Sequence, residues 1–196
     1  MAWLEVESKI RIKNSKEMRK KVKTIANFEK KEKREDEYFA IRRKRFGIDT
    51  YPQKAFRVRE TASGVQINFK KWLKKYWDKD IVVKQEFELS LKNKNVVEDI
   101  LELFKDIGFV RWMKKTKTSE FYSYKKDKRI TIEINNVKNL GWFLEIEYLC
   151  HPHEINLAKI KIRQTLERLD IDPKDIDNTG YTKMLWNKKI KGEKIS

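Results

Sequence analysis

Cysteine is almost missing from this chain. Cys150 is the single one, so no disulfide can close within the chain, and with only two histidines a cysteine-based zinc site has no ligand set. Cys150 follows an apolar run and reads as a small buried hydrophobe rather than a nucleophile. Proline and glycine are scarce, at three and six residues, so no stretch reads as a low-complexity linker. No internal repeat is visible. No apolar run approaches the length of a membrane span, and the start of the chain lacks the apolar core of a signal peptide. These absences lead us to expect a cytoplasmic, reducing location and no membrane partner.

What the chain has in excess is positive charge. Lysine and arginine total 47 against 30 aspartates and glutamates, a formal charge of +17. That balance predicts attraction to polyanions, whether nucleic acid, polyphosphate, nucleotides or an anionic membrane, without choosing among them. At 196 residues the chain can bury a sizeable core. One domain over 1–186 and a basic tail over 187–196 are expected.

The charge is patterned. Leu4 to Ile12 alternates strictly, with Leu4, Val6, Ile10 and Ile12 on one face, Ser8 among them, and Glu5, Glu7, Lys9 and Arg11 on the other. Phe56 and Val58 oppose Arg57 and Arg59 over 55–61, and a turn at 62–64 joins this stretch to 65–70, where Val65, Ile67 and Phe69 take the apolar side. Over 81–91, Ile81, Val83, Phe87, Leu89 and Leu91 oppose Lys84, Glu86 and Glu88. Further strands are expected at 36–41, 109–118, 120–124, 129–137 and 142–149, the last carrying Glu145 and Glu147 on its polar face. Between them lie amphipathic helices: about 16–28 after Ser15, with Met18, Val22, Ile25 and Ala26 as its stripe; one capped by Asn95 with Glu98 three residues on, ended by Gly108; and about 152–169. His151 and His153 read as surface or capping groups at the start of the last. A short helix over 181–186 follows.

Three stretches remain ambiguous at this level. Residues 29–35 are a dense charge run read as helix end and loop. Arg42-Arg43-Lys44-Arg45 either grips phosphates or is a solvated strand end. Residues 71–80 interleave Trp72, Tyr76 and Trp77 with lysines, which suits either base stacking or aromatics packed on the domain.

About eight strands therefore share an apolar face and a face of segregated charge. Long antiparallel strands of this number tend to curl and close. The expected architecture is α+β: a closed eight-stranded antiparallel barrel, a tunnel with a polar interior, covered by amphipathic helices. Carboxylate pairs at 5/7, 86/88 and 145/147 inside such a barrel need cations or a divalent metal to offset them. Oxygen-only donors favour Mg²⁺ or Mn²⁺ over zinc. The cations on neighbouring strands suit a polyphosphate, and together these imply metal-assisted attack at phosphorus.

Glu5-Val6-Glu7-Ser8-Lys9 resembles the ExExK signature of the CYTH superfamily, the triphosphate tunnel metalloenzymes. Five further segments resemble that family in order: Asp36-Glu37-Tyr38-Phe39; Phe56-Arg57-Val58-Arg59; Asn68-Phe69-Lys70; Lys84-Gln85-Glu86-Phe87-Glu88; and Asn135 through Leu140-Gly141-Trp142-Phe143-Leu144-Glu145-Ile146-Glu147. Gly180-Tyr181 to Leu185 is similar to its closing motif. The resemblance implies that Glu5, Glu7, Glu145 and Glu147 hold divalent metal, Mg²⁺ or Mn²⁺. It implies that Lys9, Arg57, Arg59, Lys70, Lys84, Lys115 and Lys117 bind a triphosphate, with Tyr38 beside them. Glu86 and Glu88 match acidic tunnel positions. Asn135 stands where the family usually has Asp, and Glu133 on the same face is a candidate to compensate. Lys71-Trp72 replaces the usual Gly-Pro, and the insertion to Asp80 is placed to remodel one tunnel mouth.

Three activities follow from the resemblance. The first is a metal-dependent triphosphatase acting on ATP, tripolyphosphate or a similar molecule. The second is a class IV adenylyl cyclase. The third is a non-catalytic binder of polyphosphate or RNA 5′ ends, with the basic surface available to nucleic acid. Hydrolysis is favoured over cyclisation because the residues before Glu5 leave no room for the His-Phe pair that many cyclases carry upstream. A homodimer is a family expectation.

Overall fold

The computed structural model describes residues 3–42, 50–52, 54–61, 64–92 and 94–192. Arg43-Lys44-Arg45, most of the four-cation run, and the turn residues Ala62 and Ser63 lie outside the described residues. Among the described residues, eight strands and four α-helices follow in this order: β1 (Leu4–Ile12), α1 (Ser15–Ile25), β2 (Ala26–Ile41), β3 (Ala55–Thr61), β4 (Gly64–Trp72), β5 (Val82–Leu91), α2 (Lys94–Asp106), β6 (Phe109–Tyr124), β7 (Ile130–Val137), β8 (Gly141–Cys150), α3 (Ile155–Arg168) and α4 (Tyr181–Ile190). The strands close into an antiparallel barrel in the order β1-β5-β4-β3-β2-β6-β7-β8. The expected α+β barrel is therefore the observed fold. None of the described helices is long and apolar enough to cross a membrane.

The chain forms two compact units. The first comprises 1–33, 71–86 and 117–180. Its core joins the apolar parity of β1 (Leu4, Val6, Ile10) to Ile132, Ile134, Leu144 and Ile146, and α3 seals it with Ile155, Ala158, Ile162 and Leu166. Ser8, the polar member of that parity, donates its hydroxyl to the Asp80 carbonyl at 2.8 Å, so its burial leaves no orphaned group. α1 lies on the same core through Val22, Met18 and Ile25. Arg19 ties it down further, meeting the buried Glu120 at 2.8 and 3.1 Å.

The second unit comprises 34–70, 87–116 and 181–196. Phe56, Val58, Val65 and Ile67 supply its core, and α2 covers them with Val97, Ile100, Leu101 and Phe104. Gly64 turns β3 into β4 with φ +134°, and a side chain there would meet the Leu91 carbonyl oxygen at 2.2 Å. Val96 and Leu103 of α2 and Ile107 just after it are exposed, as are Phe87 and Leu89 of β5, so the apolar faces expected of both elements are only partly used.

Several boundaries differ from expectation for physical reasons. α1 is capped by Asn14, whose side chain accepts the Glu17 N–H at 3.2 Å, and ends at Ile25; Ala26 belongs to the next strand. The charge run at 29–35 is strand, part of the sixteen residues of β2. It lacks an apolar face because it is held by the ladder and by cross-strand charge pairs: Lys114 meets Glu35 at 2.8 Å and Arg111 meets Glu37 at 2.9 Å. The stretches 109–118 and 120–124 are one strand. α2 starts at Lys94, so Asn95 sits in its first turn, while Gly108 ends it with φ +95° as expected. α4 continues to Ile190, four residues into the stretch expected to be a tail. His151 caps the turn Pro152–Glu154, its own N–H bonded to Glu154 at 2.9 Å.

Candidate active site

Strand register assembles the charged residues of the first unit. β1 lies between β5 and β8, which sets Glu5 opposite Lys84, Glu7 opposite Glu147, and Lys9 opposite Glu145. β7 then sets Glu133 opposite Glu145, and β6 sets Ser119 opposite Asn135. Because the other parity of β1 carries the apolar core, these side chains share the opposite face, yet Glu5, Glu7, Lys9, Lys84, Glu133 and Glu145 are all buried. Arg11, next on the same parity, is exposed and meets Asp177 at 3.1 Å, the rim position its place at the strand end suggests.

Two carboxylates facing each other across a ladder repel, so the cluster depends on its cations. Lys84 spans Glu5, at 3.2 Å, and Glu7. Even so, burial first, with Glu145 and Glu5 adding to it, lifts the Glu7 carboxyl from 4.5 to about 7 against the pull of Lys84. Burial also holds the Lys9 ammonium below the usual lysine range, although Glu7 and Glu145 oppose this. Lys9 donates to the Thr179 carbonyl, and its backbone N–H donates to Asn178 at 2.8 Å, so the segment before α4 is stitched to the site. Carboxylate oxygens of Glu5, Glu7 and Glu147 lie within 4.8 Å of one another.

The neighbouring carboxylates are arranged differently. Lys117 meets Glu133 at 2.9 Å and Glu145 at 3.7 Å. Asn135, wholly buried, donates its amide to Glu145 at 2.7 Å and accepts from Ser119. A neutral side chain thus stands where a carboxylate would face Glu145 directly.

The second unit holds a cationic group built around one acid. Asp36 is fully buried and accepts from Arg59 Nε at 2.6 Å and Nη2 at 3.0 Å, while Lys115 stands 2.9 Å away. Burial alone would raise its carboxyl, but Lys115, the Arg59 bonds and the Arg57 charge hold it far below the usual range. Lys115 also lies over the Tyr38 and Tyr181 rings, 5.5 and 5.4 Å from their centroids. Arg57 is opposite Tyr38 and Asn68, and its buried Nε finds no hydrogen-bond partner. Lys70 is half-buried near the end of β4. Glu86 is half-buried, and Glu88 is exposed, accepting from Gln66 at 3.2 Å.

The structure therefore brings Glu5, Glu7 and Glu147 together, groups Glu133, Asn135 and Glu145 with Lys117, and gathers Arg57, Arg59, Lys115 and Tyr38 around Asp36. It leaves Glu88 outside these groups. Asp36, Ser119 and Asn178 join these groups without being among the site residues the sequence marks. Asp36 was discoverable, since it stands two residues before Tyr38 in a recognised segment; the other two carry no sequence signal beyond being polar.

A closed antiparallel barrel with buried carboxylates and ammonium groups on one parity of its strands defines a polar-cored barrel protein. The CYTH domain model matches residues 4–181, and the chain belongs to that family, whose members include triphosphatases and adenylyl cyclases. The chain is similar to the solved PH1819 protein from Pyrococcus horikoshii OT3, with TM-score 0.74 and 27% identity over 94% of this chain and 99% of that one. It is also similar to PH1012 from the same organism, with TM-score 0.66 and 27% identity over 90% and 96%. HpAC1 from Hippeastrum, described as having a dominant triphosphatase activity, shares the fold at TM-score 0.61 and 14% identity over 97% of each chain. No curated protein sequence matches the chain.

Proposed function

We propose that this protein is a divalent-metal-dependent phosphohydrolase acting on a triphosphate. The observation that carries the reading is the trio Glu5, Glu7 and Glu147, with carboxylate oxygens within 4.8 Å of one another among buried lysines. Hard oxygen donors in this number suit Mg²⁺ or Mn²⁺, so the residues present fit such an ion. When bound there, a divalent ion supplies Lewis-acid charge to phosphate oxygens. Glu145, Glu133 and Asn135 are further candidate ligands; in this structure Glu133 is bonded to Lys117 and Asn135 to Glu145.

The chain's own part is to bind and neutralise phosphate oxygens. Lys9 and Lys84 stand beside the carboxylates. In the first unit Lys117, and in the second Arg57, with its unpartnered buried Nε, Arg59, Lys70 and Lys115, are cations of the kind suited to phosphate oxygens. In the reaction, water attacks the terminal phosphorus and gives up a proton to solvent, the bond to the bridging oxygen breaks, the terminal group becomes orthophosphate, and the diphosphate departs with that oxygen, the charge at the trio being neutralised by Lys9 and Lys84.

The test is incubation with Mg²⁺ or Mn²⁺ and tripolyphosphate, ATP or 5′-triphosphate RNA, with the products resolved. Orthophosphate supports the reading. Cyclic AMP with pyrophosphate replaces it with a cyclase. Binding without turnover of any substrate replaces it with a non-catalytic polyphosphate or RNA 5′-end binder. Intact turnover in Glu5→Gln would remove the metal assignment.

A further inference from the structure

Trp72 is the one aromatic of the 71–80 insertion that the core does not absorb. Tyr76 and Trp77 pack against the first unit's core, and Trp77 donates its indole N–H to the Val83 carbonyl at 3.1 Å. Trp72, at the end of β4, is 38% exposed. Its neighbours lead directly to the carboxylate trio. Lys84 Nζ lies 5.1 Å from the Trp72 ring centroid, and that same ammonium spans Glu5 and Glu7. Trp77 meets the ring edge-on at 5.2 Å and 66°. The six-membered edge faces Gly180, close enough that a side chain there would touch it at 3.5 Å. Gly180 follows Thr179, whose carbonyl takes Lys9, and Asn178, whose buried Nδ2 has no hydrogen-bond partner.

An indole is therefore held between the buried ammonium of the site and solvent. Its orientation is set by Lys84, Trp77 and Gly180, and part of its ring is left uncovered. An inorganic polyphosphate has no use for such a surface. A flat heteroaromatic group tethered to a triphosphate does, since base–aromatic stacking tolerates any base and is worth a factor of about ten or more in affinity. We propose that Trp72 is a specificity-determining residue that stacks the organic group of the substrate, so that the preferred substrates are nucleoside or other heteroaromatic triphosphates rather than tripolyphosphate. This rests on the phosphohydrolase reading and names its substrate class.

The test compares wild type, Trp72→Leu and Trp72→Phe on ATP and tripolyphosphate, by steady-state kinetics and, independently of turnover, by calorimetric titration in the presence of Mg²⁺. The expected result is an ATP KM and Kd raised about ten-fold in Trp72→Leu, with kcat little changed and the tripolyphosphate values within two-fold of wild type. Trp72→Phe, which keeps a ring beside Lys84, should retain most of the ATP preference. Equal losses on both substrates would show that Trp72 merely positions Lys84, and would overturn the proposal. An unchanged ATP-to-tripolyphosphate ratio, or wild-type protein that binds tripolyphosphate but not ATP, overturns it as well. Absent turnover with an intact shift in the binding ratio would instead remove the phosphohydrolase reading and leave the stacking role standing.

Discussion

On the proposed reading, the position of Glu7 makes ion binding a titration. Its carboxyl is buried and lifted to about 7, so in the ion-free protein it carries a proton over much of the neutral range. A divalent ion held by Glu5, Glu7 and Glu147 must expel that proton. A carboxyl titrating at about 7 is roughly nine-tenths ionised at pH 8 and roughly one-tenth ionised at pH 6. The apparent affinity for Mn²⁺ should therefore fall about ten-fold between those values, with about half a proton released per ion at pH 7. Calorimetric titration in two buffers of different ionisation enthalpy measures both quantities. Glu7→Gln should bind more weakly and lose most of the pH dependence. An affinity that is flat from pH 6 to 8 in wild type, with no proton released, would refute the assignment of Glu7 as a ligand.

The same shift has a stability consequence, and its sign follows from proton counting. The folded pKa, about 7, lies above the ordinary glutamate value of 4.5, so between about 4.5 and 7 the folded state binds more protons than the unfolded one. Stability from this group is thus fully present below about 4.5 and declines as pH rises through about 7. A carboxyl lifted from 4.5 to about 7 by burial corresponds to a few kcal/mol, on the order of 3. Ion-free wild type should lose stability relative to Glu7→Gln across that window in denaturant titrations, and added Mn²⁺ should restore it. Parallel curves for the two proteins would contradict the burial argument.

Other residues give simpler tests. Asp36→Asn leaves Arg59 and Lys115 facing a neutral group in a buried site, and should cost about 3–5 kcal/mol in urea unfolding. In wild type the lowered Asp36 pKa contributes stability above the ordinary aspartate value, lost as pH falls well below it; that acid-side loss should be smaller in Asp36→Asn. Gly64→Ala would place a methyl group 2.2 Å from the Leu91 carbonyl at φ +134°, and should lower the melting temperature by several degrees or more. Asn135→Asp sets a carboxylate against Glu145, whose partner at 2.7 Å is now a donor, and should destabilise the ion-free protein while making its stability more dependent on Mn²⁺; a melting temperature equal to wild type without metal would count against the role given to the amide.

How much of this was legible in the sequence depends on where the controlling force is local. β1, β3, β7 and β8 alternate because one parity builds a core, and side-chain alternation is an intrinsic property of a strand, so their faces could be read directly. β2 could not be read this way. Its charged stretch is extended because Lys114 and Arg111, some seventy-five residues away, lie across the ladder from Glu35 and Glu37, and no local period records a distant partner. The same distinction divides the site. That Glu5, Glu7 and Lys9 share a face is local; that Glu7 faces Glu147 while Glu5 faces Lys84 is register, fixed by the pairing of β1 with β8 and β5. Register also decides which carboxylates can work together. Glu133 and Glu145 lie on the expected parity, but the pairing sets both beside Lys117 and bonds Asn135 to Glu145, while Lys9, opposite Glu145, links that carboxylate to Glu7. Glu86 and Glu88 show the remaining limit: alternation assigns both to one face, but β5 runs out of its neighbours' cover, leaving Glu86 half-buried and Glu88 in solvent. Parity states which side of a strand a residue occupies; only the length of the neighbouring strands states whether that side is still inside.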